Sequence, residues 1–118
     1  MWTRKDNGSD INWNQATAYC SKLQLAGYSD WRLPAIHELQ AIYDPSVSRH
    51  QKFDNGVTYD VHVKGNLELT GWHWSRTREE ALHERPSYFV FDKPNPQHGF
   101  PVTFTFSMRA LCVRPSGE

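Results

Sequence analysis

The hydrophobic period of this chain changes once, from helical near the N-terminus to alternating in the last third, and that switch excludes most architectures. Trp13, Ala16, Cys20 and Leu23 recur at spacings of three and four, one face of a helix, and Tyr19 widens the stripe. Asn12 suits the N-cap because its side-chain oxygen can accept an orphaned backbone N–H. Gly27 is the expected stop for a helix running to about Leu25. A second helix is expected after Leu33-Pro34, through Ile36, Leu39, Ile42 and Tyr43, until Asp44-Pro45. Ala35 stands three residues before Glu38, where a capping box would carry Ser or Thr, so this helix is expected to fray in its first turn.

From Trp72 onward the period is two. Trp72 and Trp74 read as strand, as do Tyr88, Val90 and Asp92 against Phe89 and Phe91, and Val102, Phe104 and Phe106. Ala110, Cys112 and Arg114 against Leu111 and Val113 predict a C-terminal strand. Between the two regimes, Ser46 to Leu69 is polar. Its turn signals, Asp54-Asn55-Gly56 and Gly65-Asn66, predict a long loop with room for short strands. Two helices followed by a small antiparallel sheet with long loops is the α+β class. With 118 residues and 13.7 kDa, the span 1–118 is expected to be a single domain around one core.

Charge narrows the partners. Thirteen basic residues balance thirteen acidic ones, so no net field favours nucleic acid or an anionic membrane, and a polyanion would need a local patch. No apolar run approaches the ~20 residues of a membrane helix, so no membrane insertion is expected. The chain starts at Met1-Trp2 without a basic and apolar leader, and its compartment is not read from that end. Five Trp, five Tyr and six Phe are a heavy aromatic load, which builds core first and can line a recognition surface second.

Chemistry-bearing patterns are few. Cys20 and Cys112 are too far apart for a C-x-x-C redox or zinc motif, leaving a structural disulfide or two buried thiols. The six histidines form no ligand motif. His73, His83 and His98 fall among the strands and their loops and are expected to be ordinary exposed side chains, so no metal site is assigned. Asp6-Asn7-Gly8-Ser9-Asp10 is rich in oxygen but lacks the spacing and terminal glutamate of an EF-hand loop, and it reads as a helix-leading turn. With no G-x-S-x-G elbow, H-E-x-x-H helix or glycine-rich phosphate loop, no catalytic residue is assigned.

Four motifs stand in a fixed order: N-W-x-x-A-x-x-Y-C at Asn12 to Cys20, L-A-G-Y-x-D-W-R-L-P at Leu25 to Pro34, W-x-W-S-R-T at Trp72 to Thr77, and R-A-L-C-V-R-P at Arg109 to Pro115. In this order the chain resembles the C-type-lectin-like domains at the C-terminus of bacterial collagen-like adhesins, the Lcl C-terminal family. The resemblance implies a C-type-lectin-like fold and a noncatalytic ligand-binding module of a bacterial or phage surface protein. Its expected partners are glycans, glycosaminoglycans or a cell-surface protein. In C-type lectins the first helix is commonly bridged to the last strand, which implies a Cys20–Cys112 disulfide and an extracellular, cell-surface or periplasmic location.

Some lectin features are missing. The calcium signatures E-P-N, Q-P-D and W-N-D do not occur, and Asn95-Pro96-Gln97 is a superficial echo, so no cofactor is expected and calcium lacks a signature. Formylglycine-generating enzymes have a related fold, but their oxidase chemistry needs paired reactive cysteines and copper, and this chain has no second thiol pair. Diversified receptor binders carry a cassette rich in Asn and Tyr, whereas Trp72 to Pro115 holds only Asn95 and Tyr88 of those types.

Trp13, Trp31, Leu33, Trp74 and Cys112 are fold-building types and are expected in the core. The candidate ligand residues are Arg76, Arg78 and Arg85 in a loop crest with Glu79, Glu80 and Glu84, and Lys93, Asn95 and His98 in a second crest with Gln97. Guanidinium forks and amides can grip carboxylates, sulfates or sugar hydroxyls. The competing reading is a solvated surface with internally paired charges. A rival from another class is an assembly or trimerisation domain capping a fibre, with Phe100, Phe104 or Phe106 in a homo-oligomer interface.

Overall fold

In the computed structural model, which describes residues 1–53, 56–65, 67–78, 85–93, 95–97 and 99–114, Asn12 opens helix α1 (Trp13–Ser21). The Asn12 side chain accepts the Gln15 N–H at 2.8 Å while Gln15 Oε1 accepts the Asn12 N–H at 3.0 Å, a complete capping box. Ala16 and Cys20 are buried, Trp13 and Leu23 half-buried, and Tyr19 stays exposed. The helix ends four residues short of Leu25, and Gly27 has another task. Ala26 and Gly27 take positive φ angles of 56° and 82°, the backbone that a tight hairpin turn requires, and Leu25 and Tyr28 exchange backbone hydrogen bonds at 3.0 Å. Trp31 Nε1 donates to the Leu25 carbonyl at 3.3 Å and holds this turn against the body of the fold.

Helix α2 (Ile36–Ala41) is also shorter than its apolar pattern, because the chain after it pairs with the 62–64 segment: the Asp44 N–H bonds the His62 carbonyl and the Ile42 carbonyl accepts the Lys64 N–H. Its first turn does not fray. Glu38 Oε1 accepts the Ala35 N–H at 2.8 Å, and Thr77 Oγ1 accepts the Ile36 N–H at 2.9 Å, so a hydroxyl from a distant strand replaces the missing cap. Arg32 grips Glu38 with both ends of its fork, at 2.6 and 2.8 Å. That grip, aided by the Ala35 N–H, lowers the Glu38 carboxyl to about 2 despite partial burial. A depressed carboxylate contributes stability that is complete above its unfolded value and disappears as pH falls through the folded one. Replacing Glu38 by Gln is expected to lower stability by about 1 kcal/mol at pH 7, a figure discounted for solvent screening. In urea unfolding, the gap between variant and parent should narrow as the pH falls from 4.5 towards 2.

Strands β1 (Arg49–Lys52) and β2 (Thr58–Val61) form an antiparallel hairpin inside the region expected to be a long loop with short strands. The second sheet corrects the purely antiparallel expectation. Strand β3 (Trp72–Arg78) pairs antiparallel with β4 (Pro86–Phe89) but parallel with β5 (Met108–Arg109), in the order β4-β3-β5. The segment expected as a strand at Val102 to Phe106 instead turns, with Phe104 and Met108 donating to the carbonyls of Pro101 and Thr105 at 3.0 Å, and β5 then enters alongside β3 in the same direction. Gly71 allows this approach, since a Cβ there would collide with the Ser107 carbonyl oxygen. The expected C-terminal strand is reduced to single bridges from Val113 to Trp2 and Arg32.

Both faces of the central sheet are covered, so the alternation separates two apolar clusters and not core from solvent. Tyr88, Val90, Ala110 and Cys112 join Ala16, Cys20, Trp31, Leu33 and Trp74 on the α1 side. Phe89, Phe91 and Leu111 join Leu39, Val61 and Val63 on the α2 side, and Trp72 packs against both clusters. A Cys20–Cys112 disulfide, closing 92 residues and wholly buried, ties α1 to the C-terminal segment.

Candidate functional site

Strand β3 ends in Arg76-Thr77-Arg78, and its period of two sends the two arginines to the exposed face and Thr77 inward, where its hydroxyl caps α2. The β3–β4 register shifts between the Trp74 and Arg78 pairs, which frees the Arg76 N–H to bond the Pro34 carbonyl at 2.7 Å. Ser75 is buried and donates to the Ser87 carbonyl at 2.6 Å. Arg76 and Arg78 therefore project from an anchored strand end and not from a loop, as their charge pattern had suggested. The Arg78 guanidinium lies 4.9 Å above the ring of Trp13, whose Nε1 donates to the Ser75 carbonyl at 2.8 Å. Arg85 immediately precedes Pro86, the cross-strand partner of Arg78, and donates to the Gly99 carbonyl at 2.7 Å.

This end of the sheet thus carries Arg76, Arg78 and Arg85, with Arg78 over the half-buried Trp13 and Arg76 near enough to Glu38 for its charge to help lower that carboxyl. Lys93 and Asn95 are exposed beyond the opposite end of β4 and do not join them. His98 lies outside the described residues, as do His83, Glu79, Glu80 and Glu84. Trp31, Leu33, Trp74 and Cys112 are buried, as their residue types imply. Phe100 and Phe104 stack 3.9 Å apart, and Phe100 stacks 4.8 Å from Tyr88, so both belong to the edge of the α1 cluster. Phe106 alone of the three is strongly exposed, at 60%.

A buried polar network escaped the sequence reading. His73, expected at the surface, is wholly buried with its Nε2 2.9 Å from Asp6 Oδ2. Asp6 also accepts the Thr70 N–H and hydroxyl at 2.7 Å and the Gly8 N–H at 3.0 Å. Arg109, equally buried, donates to Asp10 at 2.7 Å and to the Thr70 hydroxyl at 2.9 Å. The two acids of the oxygen-rich turn are therefore engaged by protein donors. Burial alone would raise the Asp6 carboxyl, yet the hydrogen bond and charge of His73, with the Thr70 bonds, hold it below the ordinary carboxylate value. Among the described residues no three His, Cys, Asp or Glu side chains converge as a metal-binding group. The available signal was the W-H-W alternation: with Trp72 and Trp74 on one face, His73 must face the other, which is also covered.

Fold and site define a small disulfide-bridged α+β module whose exposed chemistry at this end is cationic beside an indole. The chain belongs to the Lcl C-terminal domain family, whose profile matches residues 1–114. This is an adhesin-type, non-enzymatic domain family associated with collagen-like surface proteins. No curated protein and no solved structure matches the chain.

Proposed function

We propose that this domain is a noncatalytic ligand-binding module of a bacterial surface protein, and that it recognises anionic glycans such as glycosaminoglycans through Arg76, Arg78 and Arg85. The observation that carries this reading is the presentation of Arg76 and Arg78 from a hydrogen-bonded strand end, with Arg78 over Trp13. Anchoring limits the entropy lost on binding, guanidinium forks suit sulfate and carboxylate, and the Trp13 indole holds the Arg78 guanidinium in place. The disulfide fits an oxidising site outside the cytosol. It also occupies both cysteines, which leaves no thiol pair for oxidase chemistry.

Changing Arg76, Arg78 and Arg85 together to Ala is expected to weaken binding to immobilised heparin by at least about tenfold and to flatten its salt dependence. The melting temperature should move by only a few degrees, roughly the effect of surface substitutions. Unchanged heparin binding by the variant would remove this crest from the site. A second reading, assembly through the exposed Phe106, predicts an oligomer at low concentration that Phe106→Ser dissociates. Sedimentation of parent and variant separates the two.

A further inference from the structure

At the end of α1 away from Trp13, an open groove of about 340 Å³ runs between the helix and the N-terminal segment. Tyr19, Leu23 and Leu25 form its apolar wall, and Thr3, Arg4 and Lys5 form the other. Tyr19 and Leu25 keep 38% and 46% of their surface exposed, which leaves the apolar wall open to solvent. The cationic wall is held in place, because the Arg4 carbonyl accepts the Glu68 N–H at 2.7 Å and the Asp6 N–H reaches the Glu68 carbonyl at 3.3 Å.

The charges in this groove are unevenly satisfied. The Arg4 side chain is exposed and makes no hydrogen bond or ion pair among the described residues. Lys5 is only loosely paired with Glu68, at 3.6 Å, and both side chains are mostly exposed. Asp6 also borders the groove, but its carboxylate is turned inward and hydrogen-bonded by Gly8, Thr70 and His73, so its oxygens do not face an incoming anion. The larger hollow nearby, about 420 Å³, is bounded by the six residues 24–29 of one turn and contains no charged side chain.

We infer that this groove binds a small amphiphilic anion, a carboxylate or sulfonate carried on an aromatic or aliphatic body. The body packs on Tyr19, Leu23 and Leu25, and the anionic head meets Arg4 and Lys5. Both halves contribute, since a bare inorganic anion leaves the apolar wall wet and a neutral hydrocarbon leaves Arg4 without a partner. The site is distinct from the arginine crest at the other end of α1 and does not depend on it.

The test is a titration of the ¹⁵N-labelled domain with 2-naphthalenesulfonate, followed by amide shifts, with the neutral 2-naphthylmethanol as comparison. Shifts should concentrate at residues 3–6 and 19–25. Both the neutral compound and Arg4→Ala should bind about five- to tenfold more weakly. Leu25→Glu, a change at an exposed position that keeps the dispersed spectrum of a folded domain, should abolish the shifts. The triple variant of Arg76, Arg78 and Arg85 should bind as the parent does, which separates this site from the proposed glycan surface. Equal affinity for the neutral compound, shifts centred on the arginine crest, or no response at millimolar probe would each overturn the inference.

Discussion

Replacing Cys20 and Cys112 by serine is expected to destabilise the domain by ~4 to 5 kcal/mol, the value chain entropy assigns to so long a loop. For a domain of this size that corresponds to a melting temperature lower by roughly 15 °C or more. The reason lies in α1, whose nine residues are too few to stand as an isolated helix in water. Of its residues only Ala16 and Cys20 are fully buried, and the bridge fastens it to the C-terminal segment across 92 residues of chain. Denaturation of the parent with and without reductant, beside the double serine variant, measures the effect. A difference below about 1 kcal/mol would show that native strain or residual structure in the unfolded chain cancels the constraint.

Asp6→Ala should cost about 3 to 5 kcal/mol at pH 7, because it removes the acceptor of Gly8, of both Thr70 donors and of His73 in a buried setting. The pH dependence provides an independent check. The folded carboxyl titrates below its ordinary value of 3.8, so its contribution is complete above about pH 4 and is lost as the pH falls through the lower folded value. Urea unfolding at pH 7 and pH 3 should therefore show the gap between parent and variant shrinking in acid. A gap of constant size would mean that the variant fails through lost packing and not through the lost carboxylate.

The strongest sequence signals concerned single residues with one physical role. Asn12 begins α1 because of its capping oxygen, and Cys20 and Cys112 are joined as the family resemblance implied. Less was legible wherever tertiary contacts override local pattern. Gly27 carries the signature of a helix stop, yet its positive φ serves the Leu25–Tyr28 turn, because the chain is drawn back by the Trp31 indole. Val102, Phe104 and Phe106 alternate like a strand, but the stacking of Phe100 and Phe104 against the α1 cluster favours turns there. The cap of α2 could not be found within its own segment, since the hydroxyl comes from Thr77. Of the candidate site, the three arginines do share one end of the β3–β4 pair, whereas Lys93 and Asn95 belong to the other end. Residue type alone marks all of them as polar surface and does not separate the two ends. Only the register shift in β3 explains why Arg76 and Arg78 stand on rigid backbone.

The closure of the chain on itself governs how the domain is made. Thr3 bonds the Cys112 carbonyl, Asn7 bonds the Ala110 carbonyl, and Cys20 is bridged to Cys112, so the earliest segments complete their contacts only with the latest. At a synthesis rate of ~5 to 20 residues per second, residue 20 exists for ~5 to 20 s before its partner is even made. Such long-range pairing places the domain among slow folders, whose rate is limited by bringing distant segments together. The cysteine count removes one hazard of that delay. With two cysteines in these 118 residues only one bridge can form within the domain, so the domain cannot trap itself in a scrambled isomer. The remaining error is pairing with a neighbouring molecule, so cross-linking between chains, and not shuffling within the domain, is the hazard of its oxidative folding.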